Sequence, residues 1–243
     1  MMRQEQSDGH RNTATGQTSA GPVLSGRGLA CRRGGRTVFE GLDMDLALGE
    51  VVILEGPNGS GKSTLLRLLA GLGSATGGHL SLAGMSADRR IQARMLVYLG
   101  HATALKSVFT LADNLADFVQ MAGHDTPDDD RLVEVCSHFG LTALLDRPVR
   151  YFSSGQRRRA ALCRFLLVPR SIWLMDEPTV GLDSVSRTAL ADMIKTHTDM
   201  GGSAVIASHD PLGLDDRVPA RTLDLKSYQP ASTDPYWTAE PAP

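Results

Sequence analysis

The stretch EVVILEGPNGSGKSTLLRLL, Glu50 to Leu69, holds three kinds of sequence in a row: an apolar run, a glycine-rich turn and a helix-forming run. A short apolar run bounded by charge and glycine reads as a strand buried on both faces, as in parallel sheets covered by helices. The turn comprises Gly56, Pro57, Asn58, Gly59, Ser60, Gly61, Lys62, Ser63 and Thr64, and it matches G-x-x-x-x-G-K-[ST]. It also sits where that pattern has physical meaning, after a strand and opening a helix. Glycines remove Cβ atoms, so backbone N–H groups can curl around phosphate oxygens while the helix N-terminus adds its positive dipole end. Gly56 to Thr64 is therefore the expected ATP-binding loop, with Lys62 reaching the β and γ phosphates and Ser63 ligating Mg2+.

Two more apolar runs share that character, SIWLMDE at Ser171 to Glu177 and SAVIASHD at Ser203 to Asp210. The first places Asp176 at the C-terminal tip of a buried strand, where Mg2+ would sit, with Glu177 next to it as a candidate general base. Helical patterns separate the runs, including KSTLLRLLAGL and SRTALADMIKTHTDMGG. The alternation predicts an α/β fold of the P-loop NTPase (RecA-like) kind. Residues 23–48 and 79–83 instead alternate over short runs, which predicts an antiparallel β-subdomain on its flank. LADNLADFVQMAG, DDDRLVEVCSHFG and LTALLDR read as helices of an insertion spanning about 104–165. One ATP-binding domain is expected over 23–228, between a disordered tail at 1–22 and an irregular one at 229–243.

Composition narrows the function. Lys+Arg 25 against Asp+Glu 27 gives a net charge of -2, so no global positive field holds a polyanion, and no nucleic-acid partner is expected. Cys31, Cys136 and Cys163 lie far apart without CxxC spacing and read as reduced core residues. No apolar run approaches the roughly 18 residues that span a bilayer, so a membrane, if one matters, belongs to a partner.

FSSGQRRRA, Phe152 to Ala160, decides between kinds of NTPase. Its arginine run alone would suit a solvated helix face or a basic patch. Its first half, however, resembles the LSGGQ signature of ABC-transporter ATPases and lies ahead of the Asp176 strand, as in that family. EPTVGLD, with Asp183, resembles the D-loop, and ASHD, with His209, the switch-histidine loop. The resemblance extends over about Val23 to Lys226. It implies that two ATPase subunits pack head to tail, each ATP lying between one phosphate loop and the other subunit's Ser153, Ser154, Gly155 and Gln156. It also implies that Glu177 orients water while His209 contacts the γ-phosphate and holds Glu177.

Three departures stand out. Ser154 occupies a position that is usually Gly. Counting back from FTLADNL, the Q-loop position falls on His101, whose imidazole titrates near neutral pH where Gln does not. The adenine-stacking aromatic is replaced by Arg33, whose guanidinium plane can stack on a base or lie in solvent. LACRRGGRTVFEGLDMDLALGE, LGH and SSGQRRRAALCRFLL followed by SHDPL together resemble the ATP-binding subunit of the haem-export complex of cytochrome c maturation. That implies a homodimer on the cytoplasmic face of a bacterial inner membrane, bound to integral-membrane permease subunits. An exporter ATPase for another substrate, a soluble ABC protein of DNA or ribosomes, and a non-hydrolysing nucleotide sensor are the alternatives.

Overall fold

The computed structural model describes residues 21–214 and 218–230. The two expected tails thus lie mostly outside the described residues, which leave out 1–20 and 231–243. An antiparallel sheet is built from β1 (Leu24–Arg33), β2 (Arg36–Leu46), β4 (Gly77–Leu82) and β5 (Met85–Ser86), in the order β2-β1-β4-β5. A second sheet, β6-β7-β8-β3-β9, is parallel throughout. It consists of β3 (Val51–Glu55), β6 (Leu96–Leu99), β7 (Ile172–Asp176), β8 (Ser203–Ala207) and β9 (Ala220–Asp224). The helices are α1 (Lys62–Leu69), α2 (Arg89–Met95), α3 (Leu111–Met121), α4 (Asp129–Ser137), α5 (Ser154–Leu167) and α6 (Ser184–Asp199).

The expected α/β core and flanking antiparallel sheet are both present. The three apolar runs form β3, β7 and β8 at the centre, and every residue of β7 and β8 is buried. Side chains alternate across the sheet with the two-residue period of a strand. Trp173, Met175, Ala204 and Ile206 face the core shared with α3 to α6. Ile172, Leu174, Val205 and Ala207 face the core shared with α1 and the antiparallel sheet. Each buried leucine, isoleucine, valine or methionine among them contributes about 1.5–3 kcal/mol against conformational entropy.

Two strands and one turn differ from the sequence expectation. The edge strands β6 and β9 were not anticipated, and LTALLDR forms only a 3-10 turn at Thr142–Leu144. That segment is parted from α4 by His138–Gly140, where Gly140 has φ 61°, and Leu141, its most buried residue, is already in the core. All three cysteines are buried and free, as expected.

His197, near the end of α6, is buried and stacked on Trp173, with ring centroids 3.7 Å apart and planes 6° apart. Its Nε2 lies 3.3 Å from the Ser203 carbonyl. A Cβ on Gly202 would meet the imidazole at 2.1 Å, so only glycine fits beside it. Burial pushes the His197 pKa down from 6.5 to about 4, against the opposing carbonyls of Ser203 and Ser171. As pH falls below about 6.5 the unfolded chain takes this proton first. Stability present above that pH is lost progressively toward pH 4, by on the order of 3 kcal/mol. His197→Phe keeps a ring on Trp173 and cannot titrate. Its melting temperature should fall less steeply than that of the wild type between pH 6.5 and 4, and equal slopes would disprove the assignment.

Candidate functional site

Five of the six α-helices begin with a side-chain cap: Asp88, Thr110, Asp128, Ser153 and Asp183 each accept first-turn N–H groups. The exception is α1, which starts at Gly61 with no side-chain cap hydrogen bond. A helix N-terminus left so carries donors without intrahelical partners and the positive end of the dipole. The loop shape depends on two glycines. Gly61 has φ 104° and a Cβ there would meet Val38 of β2 at 2.7 Å, while at Gly56, with φ 134°, it would meet the Ser60 hydroxyl at 2.7 Å. The Ser60 Oγ is buried without a hydrogen-bond partner among the described residues. Lys62, also buried, donates from Nζ to the carbonyls of Gly56 (2.7 Å) and Pro57 (3.3 Å) and lies 3.1 Å from His209 Nε2.

The central parallel strands bring the other candidates to the same end of the sheet. Asp176 closes β7, and Glu177 follows with φ 51°, a left-handed conformation that costs a non-glycine residue about 1 kcal/mol or more. Its N–H is fixed by the Ala207 carbonyl of β8 at 2.8 Å. The Glu177 carboxylate accepts from the His209 N–H at 3.3 Å and lies 3.4 Å from His209 Nε2. His209 Nε2 thus stands between the Lys62 ammonium and the Glu177 carboxylate. Behind it, Asp210 pairs with Arg187 of α6 at 3.0 Å, tying the histidine loop to the helix that Asp183 caps. Hydrogen bonds from Ser186 hold the Asp183 carboxyl below its ordinary pKa.

A cation is compatible with this donor set. Asp176 is 4% exposed, and its carboxylate has no hydrogen bond or ion pair among the described residues. No group of three or more His, Cys, Asp or Glu that could hold a metal occurs among them. A magnesium ion here would therefore rely on Asp176, the Ser63 hydroxyl and oxygens of the substrate.

Ser153, Ser154, Gly155 and Gln156 form the first turn of α5. A reciprocal cap sets it, with Gln156 N donating to Ser153 Oγ (3.1 Å) and Ser153 N to Gln156 Oε1 (2.8 Å). A Cβ on Gly155 would meet the Gly181 carbonyl at 2.6 Å, so this turn packs on the Thr179–Asp183 segment of its own chain. Among the described residues no hydrogen bond joins Ser153–Gln156 to Gly56–Thr64. His101 is exposed just after β6, and Arg33 is exposed at the end of β1, in the hairpin whose β2 abuts Gly61.

The arginine run is answered by six carbonyl contacts rather than by a flat basic face. Consecutive helical residues lie about 100° apart, and the three arginines point three ways. Arg157 donates to the Phe152 carbonyl and Arg159 to that of Phe139. Arg158, only 5% exposed, donates through Nη1 to Gly100 O (2.9 Å) and His101 O (3.5 Å). Through Nη2 it donates to Asp176 O (2.6 Å) and to Glu177 O. Burial lowers its guanidinium pKa, opposed by the carboxylates of Asp176 and Glu177. One turn and a half further on, Arg164 donates to Thr103 O (2.8 Å) and Ala104 O (3.0 Å), and burial lowers its pKa to about 10. Neither Arg158 nor Arg164 was expected at the site. Arg158 lies three, four and seven residues before the buried Ala161, Leu162 and Phe165, and that spacing marks it as inward-facing.

With this geometry in place, comparison with known proteins is specific. The family model described as ABC transporter matches residues 39–180. The Cytochrome c biogenesis ATP-binding export protein CcmA of Cereibacter sphaeroides is 40% identical over 210 residues, 85% of this chain and 92% of that protein. The protein of the same name from Rhodopseudomonas palustris strain HaA2 is 43% identical over 194 residues, 80% and 95% of the two chains. Among solved structures, a putative ABC transporter ATP-binding protein from Pyrococcus furiosus superposes with a TM-score of 0.74 at 22% identity, over 85% of this chain and 99% of its own. An ATP-binding cassette solved as a dimer in a post-hydrolysis state with ADP and phosphate gives a TM-score of 0.69 at 21% identity, over 77% and 88%. The bare start of α1, the carboxylates ending β7 and the His209 loop are thus found in a chain that belongs to the ABC transporter family, as an ATP-binding subunit and ATPase.

Proposed function

We propose that two copies of this chain close head to tail on two ATP molecules. Each copy offers Gly56–Thr64 to one nucleotide and Ser153–Gln156 to the other. The observation that carries the hydrolytic half of this reading is the contiguous set Lys62, His209 and Glu177, joined by contacts of 3.1 and 3.4 Å. The free N–H groups at the start of α1 and the Lys62 ammonium bind the β and γ phosphates. Ser63 and Asp176 would hold Mg2+, which would supply neutralisation of charge on the phosphate oxygens. Glu177 takes the proton of a water that attacks the γ phosphorus as the bond to the β–γ bridging oxygen breaks, leaving ADP and phosphate. His209 orients Glu177 and faces the γ-phosphate. His101, at the Q-loop position, and Arg33, as a stacking plane for the base, border the nucleotide.

The membrane role is read from the relatives. The chain covers 92% and 95% of two proteins named for cytochrome c biogenesis and export. We assign it the same process: ATP-driven export or release of haem for cytochrome c maturation. Closure and opening of the ATPase pair would move integral-membrane permease subunits at the cytoplasmic face of a bacterial inner membrane. Among the described residues no helix is long and apolar enough to cross a membrane, so the permease would supply the membrane-spanning part.

Removing the ammonium with Lys62→Ala should lower ATP turnover by about 100-fold or more, roughly 3 kcal/mol of transition-state binding. Turnover like that of the wild type would sink the loop assignment. Glu177→Gln keeps the shape and loses the base; it should bind ATP normally and hydrolyse it about 10²–10⁴-fold more slowly, and an unchanged rate would dismiss Glu177 as the base. Deleting the protein should abolish covalent haem attachment to periplasmic c-type cytochromes. Normal attachment would defeat the haem assignment while leaving the ATPase assignment intact.

A further inference from the structure

Three segments that the fold brings to the nucleotide end of the sheet are joined by a single side chain. Arg158 belongs to α5, whose first turn is Ser153–Gln156, yet its guanidinium is anchored on the main chain of two other segments. One is Gly100 and His101 behind β6, the other Asp176 and Glu177 at the end of β7. Three of the four carbonyls it holds come from His101, Asp176 and Glu177, whose side chains are the candidates at the site, and the fourth from Gly100 beside His101. At Glu177 the fixed main chain is the strained one, with φ 51°, and its N–H is already spent on Ala207 of β8. Arg164 repeats the grip one helical face further along, on Thr103 and on Ala104, which also has a positive φ of 52°.

We infer that Arg158 is the positioning residue that couples α5 to the hydrolytic site. A shift of the helix when Ser153–Gln156 meets the second nucleotide is carried by the guanidinium to the backbone of Glu177 and of His101. The geometry suits this role because no hydrogen bond joins Ser153–Gln156 to Gly56–Thr64 among the described residues, while Glu177 has its carboxylate placed by a backbone that Arg158 grips. The guanidinium fork supplies two donor arms in one rigid plane, one for each segment, and no other side chain among the described residues is hydrogen-bonded to both. Lysine keeps the charge but concentrates its donors on one nitrogen, so it can hold one carbonyl pair and not both. The inference rests on the reading of Glu177 as the base.

The test is a double-mutant cycle on the full chain, as the closed ATPase pair, with ATP hydrolysis and ATP binding measured separately. Arg158→Ala would remove the donors to four carbonyls and risks losing the fold, so Arg158→Lys and Arg158→Gln are used, each checked for an unchanged melting temperature. Arg158→Lys should lower kcat by about tenfold with KM for ATP within about twofold, and Arg158→Gln should lower it further. Because Arg158 acts through Glu177, Arg158→Lys should cause no further loss when added to Glu177→Gln. A kcat within twofold of the wild type for both variants, or losses that multiply in the double variant, would overturn the coupling while leaving the ATPase reading standing. If Glu177→Gln alone hydrolyses ATP at the rate of the wild type, the base assignment falls and this inference falls with it.

Discussion

A helix that begins inside a fold without a cap leaves backbone donors that some other group must meet, and α1 is the one α-helix of the described chain that does so. The rest of the site follows from that asymmetry. β3 delivers the chain to the bare helix end, and the positive φ values at Gly56 and Gly61 let the loop wrap it without a Cβ in the way. Because the sheet is parallel, β7 and β8 finish on the same side, so Asp176, Glu177 and His209 arrive there by topology rather than by sequence proximity. The sheet must remain buried on both faces to keep these ends aligned, and its alternating side chains fill one core on each side.

Opposite charges are managed by the other side of the same device. Where α1 leaves N–H groups for an anion, the strand ends leave carbonyls, and arginines of α5 cover them. A buried guanidinium is costly unless its donors are satisfied, and backbone carbonyls supply acceptors without a second formal charge. This lets α5 hold strand ends together while the buried Asp176 carboxylate is left without a hydrogen bond among the described residues, as the proposed Mg2+ site requires.

The parts legible in sequence were those with a strong periodic signal or a steric requirement. Apolar runs bounded by glycine or charge foretold β3, β7 and β8, and the glycines of the loop foretold its shape. The two edge strands escaped notice for physical reasons. β9 has one buried residue in five, so it reads as polar sequence, and the four residues of β6 follow α2 with no intervening turn and merge with its apolar end. Arg158 was hidden by its neighbours: three identical residues in a row look equivalent until the helix assigns each a direction, and only burial of Ala161, Leu162 and Phe165 reveals which one faces in. The left-handed backbone of Glu177 has no sequence signature, because it is imposed by the Ala207 carbonyl and the turn through Val180. The pairing of Ser153–Gln156 with a second nucleotide concerns a second chain, and the residues of one chain carry no measure of it beyond their resemblance.

The stack of His197 on Trp173 has an optical consequence. Trp173 is the one indole among the described residues, and an imidazole lies flat against it at 3.7 Å. Its emission therefore reports the environment at the start of β7, while Asp176 and Glu177, the residues proposed for the nucleotide chemistry, stand at the other end of that strand, about 10 Å along it. In a Trp237→Phe variant, which leaves Trp173 the one indole of the chain, a change of this signal on adding ATP would be a displacement transmitted through the buried strand and its flanking helices. The chain carries its own internal gauge of how rigidly the sheet conveys motion from one end to the other.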